Sequence, residues 1–257
     1  MFPQDSWLRR ELSKSLLSSW LEEINTHLAK QAEGKMFGAL VGYLPQSHHL
    51  PPEAQYFDSK RNLVVIRAYS GQLCGVWNWP GWAPTLLDHT QVAAESWRVQ
   101  YRLHRLSLKI NKFQQGYDLG DSEELKQLRH ERTLLSRHHA NTLRDHTYLY
   151  NLKGESCRLS EWWPKASTGV GDCCAPKLLS YASRFKIEPI AMAEFWIGTQ
   201  PKHKPAILIE SLALGGSHIN SHQDLNFYEP CLKRCQPILP YLLGQKVLAE
   251  SPHISKE

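Results

Sequence analysis

The chain has 257 residues and a mass of 29.6 kDa, enough for one large core or two modest ones. Its 42% hydrophobic and 21% charged residues exclude a disordered or collagen-like chain, and a formal net charge of +5 admits a polyanionic partner without requiring one. No apolar run approaches the roughly 18–20 residues of a membrane span, and the N-terminus lacks a signal-peptide pattern, so a cytoplasmic protein with no membrane partner and reduced cysteines is expected.

Starting behind Asp5 and Ser6, Trp7, Leu8, Leu12, Leu16, Leu17, Trp20, Leu21, Ile24 and Leu28 recur at three- and four-residue spacings. That spacing predicts an amphipathic helix over 5–31. The runs at 34–44 and 62–79 predict antiparallel strands, the second with a hairpin turn at Ser70-Gly71-Gln72. Between them, 45–61 has the proline and polar content of a loop. Behind them, Trp77, Trp79 and Trp82 crowd around Pro80 and Pro84, as in a rigid packed corner.

From 89 to 147 the pattern predicts a helical hairpin, broken between Gly116 and Gly120 and restarted by an Asp121/Glu124 capping box. In its first arm Val92, Val99, Leu103, Leu106, Ile110 and Phe113 form an apolar seam. Arg98, Arg102, Arg105, Lys109 and Lys112 stand one residue before the last five of these, and one residue is about 100° of rotation, so the cations make a stripe beside the seam. The second arm adds Lys126, Arg129 and Arg137 among several histidines. These eight cations are candidate phosphate contacts, although a solvated flank of a coiled coil explains them too. After a Gly-containing approach, a helix over 173–185, a strand over 188–198, an apolar segment over 206–214 and a short helix near 236–243 complete an α/β lobe.

The expected class is therefore α+β: a small antiparallel sheet with an N-terminal helix, a protruding antiparallel helical hairpin, and a C-terminal α/β lobe. Three parts are expected, over 1–88, 89–147 and 148–257.

Two cysteine clusters invite metal chemistry. Cys173 or Cys174 opens a helix, and Cys231 and Cys235 are four apart behind Pro230, so the second pair shares a face if helical. These residues could hold zinc, with Asp172, His218, His222 or water as fourth ligand; buried cysteines without an ion fit as well, and no cofactor is required. The zinc-deaminase signature is only echoed: Pro176 stands where the general acid/base Glu belongs, and Glu194 would substitute only if the fold brought it in. Phosphate-loop, dinucleotide, nucleophile-elbow and zinc-protease motifs are absent from the sequence.

Taken in order, "GKMFGALV", "YSG", "WPGWAPTLLD", a charged hairpin, "GVGDCCAPKLLSYASRFKIEPIAMAEFWIG" and "FYEPCLKRCQPILPYLL" resemble the N-terminal extension of large bacterial RluA-type RNA pseudouridine synthases. The resemblance spans roughly 30–245, and 171–198 is its most specific part. It implies a link to uridine modification in ribosomal or transfer RNA. It matches Cys173, Cys231 and Cys235 to the cysteines of the family pattern and puts Cys174 where alanine is usual. The family's catalytic Arg-Leu-Asp is missing, since "HRLS" (104–107) and "CRLS" (157–160) lack the aspartate, and no catalytic domain is expected in this chain. An accessory RNA-binding module, partnered by a separate pseudouridine synthase catalytic domain, is the leading expectation. A zinc-dependent hydrolase or deaminase-like enzyme and a structural protein-interaction module remain as alternatives.

Overall fold

The computed structural model describes residues 20, 23–24, 34–116, 122–198, 208–213 and 224–245. In chain order the elements are β1 (Lys35–Tyr43), β2 (Ala54–Asp58), β3 (Leu63–Tyr69), α1 (His89–Gly116), α2 (Glu123–Asp145), β4 (Tyr148–Tyr150), β5 (Ser156–Arg158), α3 (Leu159–Trp162), α4 (Cys174–Arg184), β6 (Glu188–Ile197), β7 (Leu208–Ala213), β8 (Asp224–Tyr228) and α5 (Leu239–Leu242). The class is α+β. Most of the helix expected over 5–31 lies outside the described residues; Trp20, Glu23 and Ile24 within it are helical.

The chain forms two compact units. The first combines Met1–Leu86, Leu149–Ser156 and Gly169–Glu257. Its centre is a six-stranded sheet of order β2-β3-β1-β6-β8-β7, antiparallel at every pairing. The strands at 35–69 and those at 188–228 thus share one sheet, with β1 paired to β6 through Phe37↔Phe195 and Gly38↔Glu194. Successive side chains of a strand point to opposite faces, and β1 is buried on both. Phe37, Ala39 and Val41 pack with Trp20, Ile24, Tyr69, Trp82 and Phe195. On the other face, α4 lies against Gly38.

Small local choices shape this unit. A strand, β2, occupies part of the segment expected as loop, and its Ala54 and Tyr56 pair with Ile66 and Val64. The expected hairpin at 70–72 is replaced by a tighter turn further on: Leu73 and Val76 bridge, and Cys74 and Gly75 between them have φ of 51° and 77°. Two successive left-handed residues are the signature of a type I′ turn, and no strand grows from it over 72–79. The tryptophan corner is packed as expected. Arg67 stacks its guanidinium 4.4 Å from the Trp82 ring, donates to Gly81 O (2.8 Å) and pairs with Glu23 (2.8 Å).

The second unit comprises Leu87–Tyr148 and Cys157–Thr168. Asp88 starts α1 by accepting the Thr90 N–H (3.1 Å). Val92, Val99, Leu106 and Ile110 are buried along the seam as predicted, together with Leu125 and His139 of α2, while Phe113 is 39% exposed. The α2 cap is Ser122 rather than Asp121: its hydroxyl accepts from Leu125 N (3.3 Å). Arg144 then ties the end of α2 to Ala166 O (2.7 Å).

Candidate metal centre and basic face

Position 173 is the N-cap of α4, yet its thiol makes no capping bond. Glu194 supplies that bond from the sheet. Because Glu194 pairs with Gly38 in register, its side chain emerges on the helix-bearing face, where Oε1 accepts the Ala175 N–H (2.8 Å). Pro176 follows at the third helical position and has no N–H to satisfy. Capping from another strand leaves the Cys173 thiol available for a different neighbour.

That neighbour is the turn after β8. Cys235 N donates to Cys231 O (3.1 Å), closing one helical turn and setting both side chains on one side. The three sulfurs of Cys173, Cys231 and Cys235 lie within 4.8 Å of one another, with 3.9 Å between Cys173 and Cys231 and 3.4 Å between Cys231 and Cys235. Zinc–sulfur bonds of about 2.3 Å at tetrahedral angles separate two ligating sulfurs by about 3.8 Å, so the trio is already near the spacing an ion demands. Cys174 turns the other way, donating weakly to Met36 O (3.4 Å) inside the core. The adjacent cysteines therefore have different fates: one belongs to the cluster and one to packing.

Charge is distributed unevenly over the cluster. Its sulfur contacts with Cys173 and then Cys235 hold the Cys231 thiol far below its ordinary value, helped by the backbone N–H groups of Cys235 and Arg234. The bond to Cys231 pushes Cys173 up, and Cys235 is raised by its bonds to both neighbours. Of the three thiols, Cys231 is therefore the most acidic. Beside it, burial raises the Glu194 carboxyl to about 7 against the opposing pull of the Ala175 N–H. Lys177, wholly buried, donates to Tyr69 O (2.9 Å); burial lowers its pKa, while Cys174 and Asp172 raise it. Asp172 is raised by burial and faces Lys177 and Arg234 rather than joining the sulfurs. His218 and His222 lie outside the described residues.

Glu194 is the residue that comparison with zinc deaminases could name only conditionally, and the fold does bring it beside the thiols. Its full burial and its bond to a helix amide give it a structural task, the capping of α4. Lys177 was missed altogether. In a helix sequence a lysine reads as solvated, and nothing local announces a carbonyl waiting at the end of β3.

On the hairpin, Arg98, Arg102, Arg105, Lys109 and Lys112 are all exposed along α1. Arg102 pairs with Glu131 (3.1 Å), and Glu95 lies 3.5 Å from His138, so this flank of α1 borders the flank of α2 that carries Glu131 and His138. Across the seam, Arg132 donates to Ser107 Oγ (2.9 Å). At about 100° per residue, Arg129 falls roughly 60° from Arg132, while Lys126 and Arg137 fall roughly 120–140° from it, on the face of α2 turned away from the seam and from the α1 stripe. The eight expected cations thus form two surfaces. Lys126 also pairs with Glu123 (3.7 Å).

Among the described residues, no helix is long and apolar enough to cross a membrane. Comparison with protein-family models, with curated proteins and with solved structures gives no match.

Proposed function

We propose that this chain is an accessory RNA-binding module of a pseudouridine synthase system, holding ribosomal or transfer RNA for a separate catalytic domain that carries the Arg-Leu-Asp aspartate. The observation that carries it is the exposed α1 stripe, five cations on a helix whose one carboxylate is Glu95. Such a row tracks phosphates by releasing their counterions, which gives affinity without sequence preference and a steep salt dependence. The order of the family-like motifs supports the link to uridine modification. Reversing Arg98, Arg102, Arg105, Lys109 and Lys112 to Glu should abolish tRNA binding in a gel-shift titration at low salt. Unchanged affinity and salt slope in that variant would sink the proposal.

The sulfur cluster has its own role in this scheme. Cys173, Cys231 and Cys235 would hold a zinc ion that cross-links the start of α4 to the 231–235 turn, and the chemistry supplied there is structural. Elemental analysis of protein purified without added zinc should find about one equivalent; below roughly a tenth of an equivalent the zinc is ruled out.

A further inference from the structure

Opposite the buried seam, α1 carries its largest exposed rings. Trp97 is 69% exposed and Tyr101 51% exposed, with ring centroids 5.8 Å apart and planes only 9° from parallel. Arg105 extends the column: its guanidinium lies 6.0 Å from the Tyr101 ring, and Nη1 donates to the Tyr101 hydroxyl (3.4 Å). At about 100° per residue, Trp97, Tyr101 and Arg105 follow one line up the helix, and Trp97 sits roughly 140–180° from Val99, Leu106 and Ile110 of the seam. Packing against α2 therefore does not account for the rings. Two large aromatics held in water sacrifice a substantial burial gain, because each could hide about 150–250 Å².

The neighbouring line on the same helix is the cation stripe, with Arg105 common to both. The rings advance by four residues and the cations by three or four, about 4.5–6 Å per step. A strand laid along α1 would meet a flat π face on one side and a positive charge on the other at matching intervals. Duplex RNA keeps its base faces stacked inside and can use only the cations; unpaired nucleotides can use both.

We infer that Trp97 and Tyr101 form a stacking platform for the bases of unpaired RNA, so that the α1 face prefers loops and single strands to helices. This assignment rests on the RNA-binding role proposed above. It adds the class of RNA segment selected, because the cations alone attract any polyphosphate equally.

The test uses the full chain with a mixed-sequence single-stranded RNA and a duplex of equal length, titrated by fluorescence anisotropy at several salt concentrations. The native protein should bind the single strand at least about fivefold more tightly than the duplex, the lower end of what loss of one stacked base costs. The W97A/Y101A variant should lose that preference while keeping its salt slope and its duplex affinity, and W97F/Y101F should restore it. Both positions are exposed, and an unchanged far-UV circular dichroism spectrum verifies that the variants fold. If the native protein binds RNA and W97A/Y101A prefers single strands just as strongly, the platform is overturned and the phosphate-binding role stands. If W97A/Y101A instead loses concentration-dependent self-association with RNA binding intact, the rings belong to a protein contact and the assignment is overturned. Absence of any RNA binding by the native protein overturns both proposals together.

Discussion

Gly38 of β1 and Cys174 of α4 meet so closely that a Cβ on the glycine would stand 2.7 Å from the cysteine's Cβ and 3.1 Å from Leu178 Cδ1. The helix reaches the sheet through this gap. It is the adjacent residue, Cys173, that enters the sulfur cluster, so the depth of the helix sets the position of a proposed ligand. Gly38→Ala should cost about 1–3 kcal/mol by overpacking and should weaken zinc retention. Urea unfolding and zinc content measured on the same sample check both effects, and an unshifted midpoint would contradict the close approach.

The two adjacent cysteines should separate cleanly by substitution. Cys173→Ala, Cys231→Ala and Cys235→Ala are each expected to reduce bound zinc to a small fraction of an equivalent. Cys174→Ala should keep the metal and lose only about 1 kcal/mol, the cost of removing one buried heavy atom. Metal analysis beside thermal unfolding provides the comparison. Metal loss in Cys174→Ala of the same size as in Cys173→Ala would refute the division of roles.

A chelator strong enough to strip zinc should lower the unfolding temperature of the native protein and leave Cys231→Ala unaffected. A folded-state ligand contributes stability only where its site exists. Differential scanning fluorimetry with and without chelator reads this directly.

Because the five cations of α1 and the three of α2 face different ways, the eight should not act as one surface on RNA. Reversing Lys126, Arg129 and Arg137 to Glu is expected to leave most of the affinity and the salt slope in place. Reversal of the α1 stripe should flatten the slope by about 0.7–0.9 for each phosphate that is no longer neutralised. Equal losses from the two variants would show that the hairpin wraps its RNA rather than offering one face.

Acid should loosen the hairpin through His139. Its ring is buried in the seam, 3.4 Å from Ser96 Oγ, and burial lowers its pKa below the ordinary 6.5; Glu95 raises it and His138 lowers it further. The unfolded state then takes up the proton at higher pH than the folded state. The stability contributed by the neutral ring is therefore present above pH 6.5 and is lost as pH falls from there through the folded value. Hydrogen exchange of α2 amides should accelerate over that range, and His139→Gln should remove the His139 share of the pH dependence.

How much of this was legible beforehand varied with the range of the forces involved. The seam of α1 was visible because Val92, Val99, Leu106 and Ile110 repeat at helical spacing, a local signal that burial follows directly. Grouping Cys173 with Cys231 and Cys235 was reachable from spacing and resemblance. The register Gly38↔Glu194 was not: it pairs residues 156 positions apart, and no local preference encodes such a partner. That register is what carries Glu194 to the start of α4. The Cys74-Gly75 turn escaped notice for another reason, since a cysteine at positive φ lacks the usual Asn or Asp of such turns. Trp97 and Tyr101 carry no such signal, because helical spacing marks the residues a helix hides, and these rings are conspicuous only once the hidden side is known.

The isolated bridge between Leu87 and Thr147 closes the base of the hairpin, placing its incoming and outgoing strands side by side. Between those two points α1 and α2 can gain or lose matched turns at their far end, near 116–122, without reopening the base. Each matched residue changes the reach by about 1.5 Å. The base and the tip are thus independent: turns added at the far end would extend the tip alone, while Trp97, Tyr101 and the cation stripe keep their distance from the Leu87–Thr147 bridge.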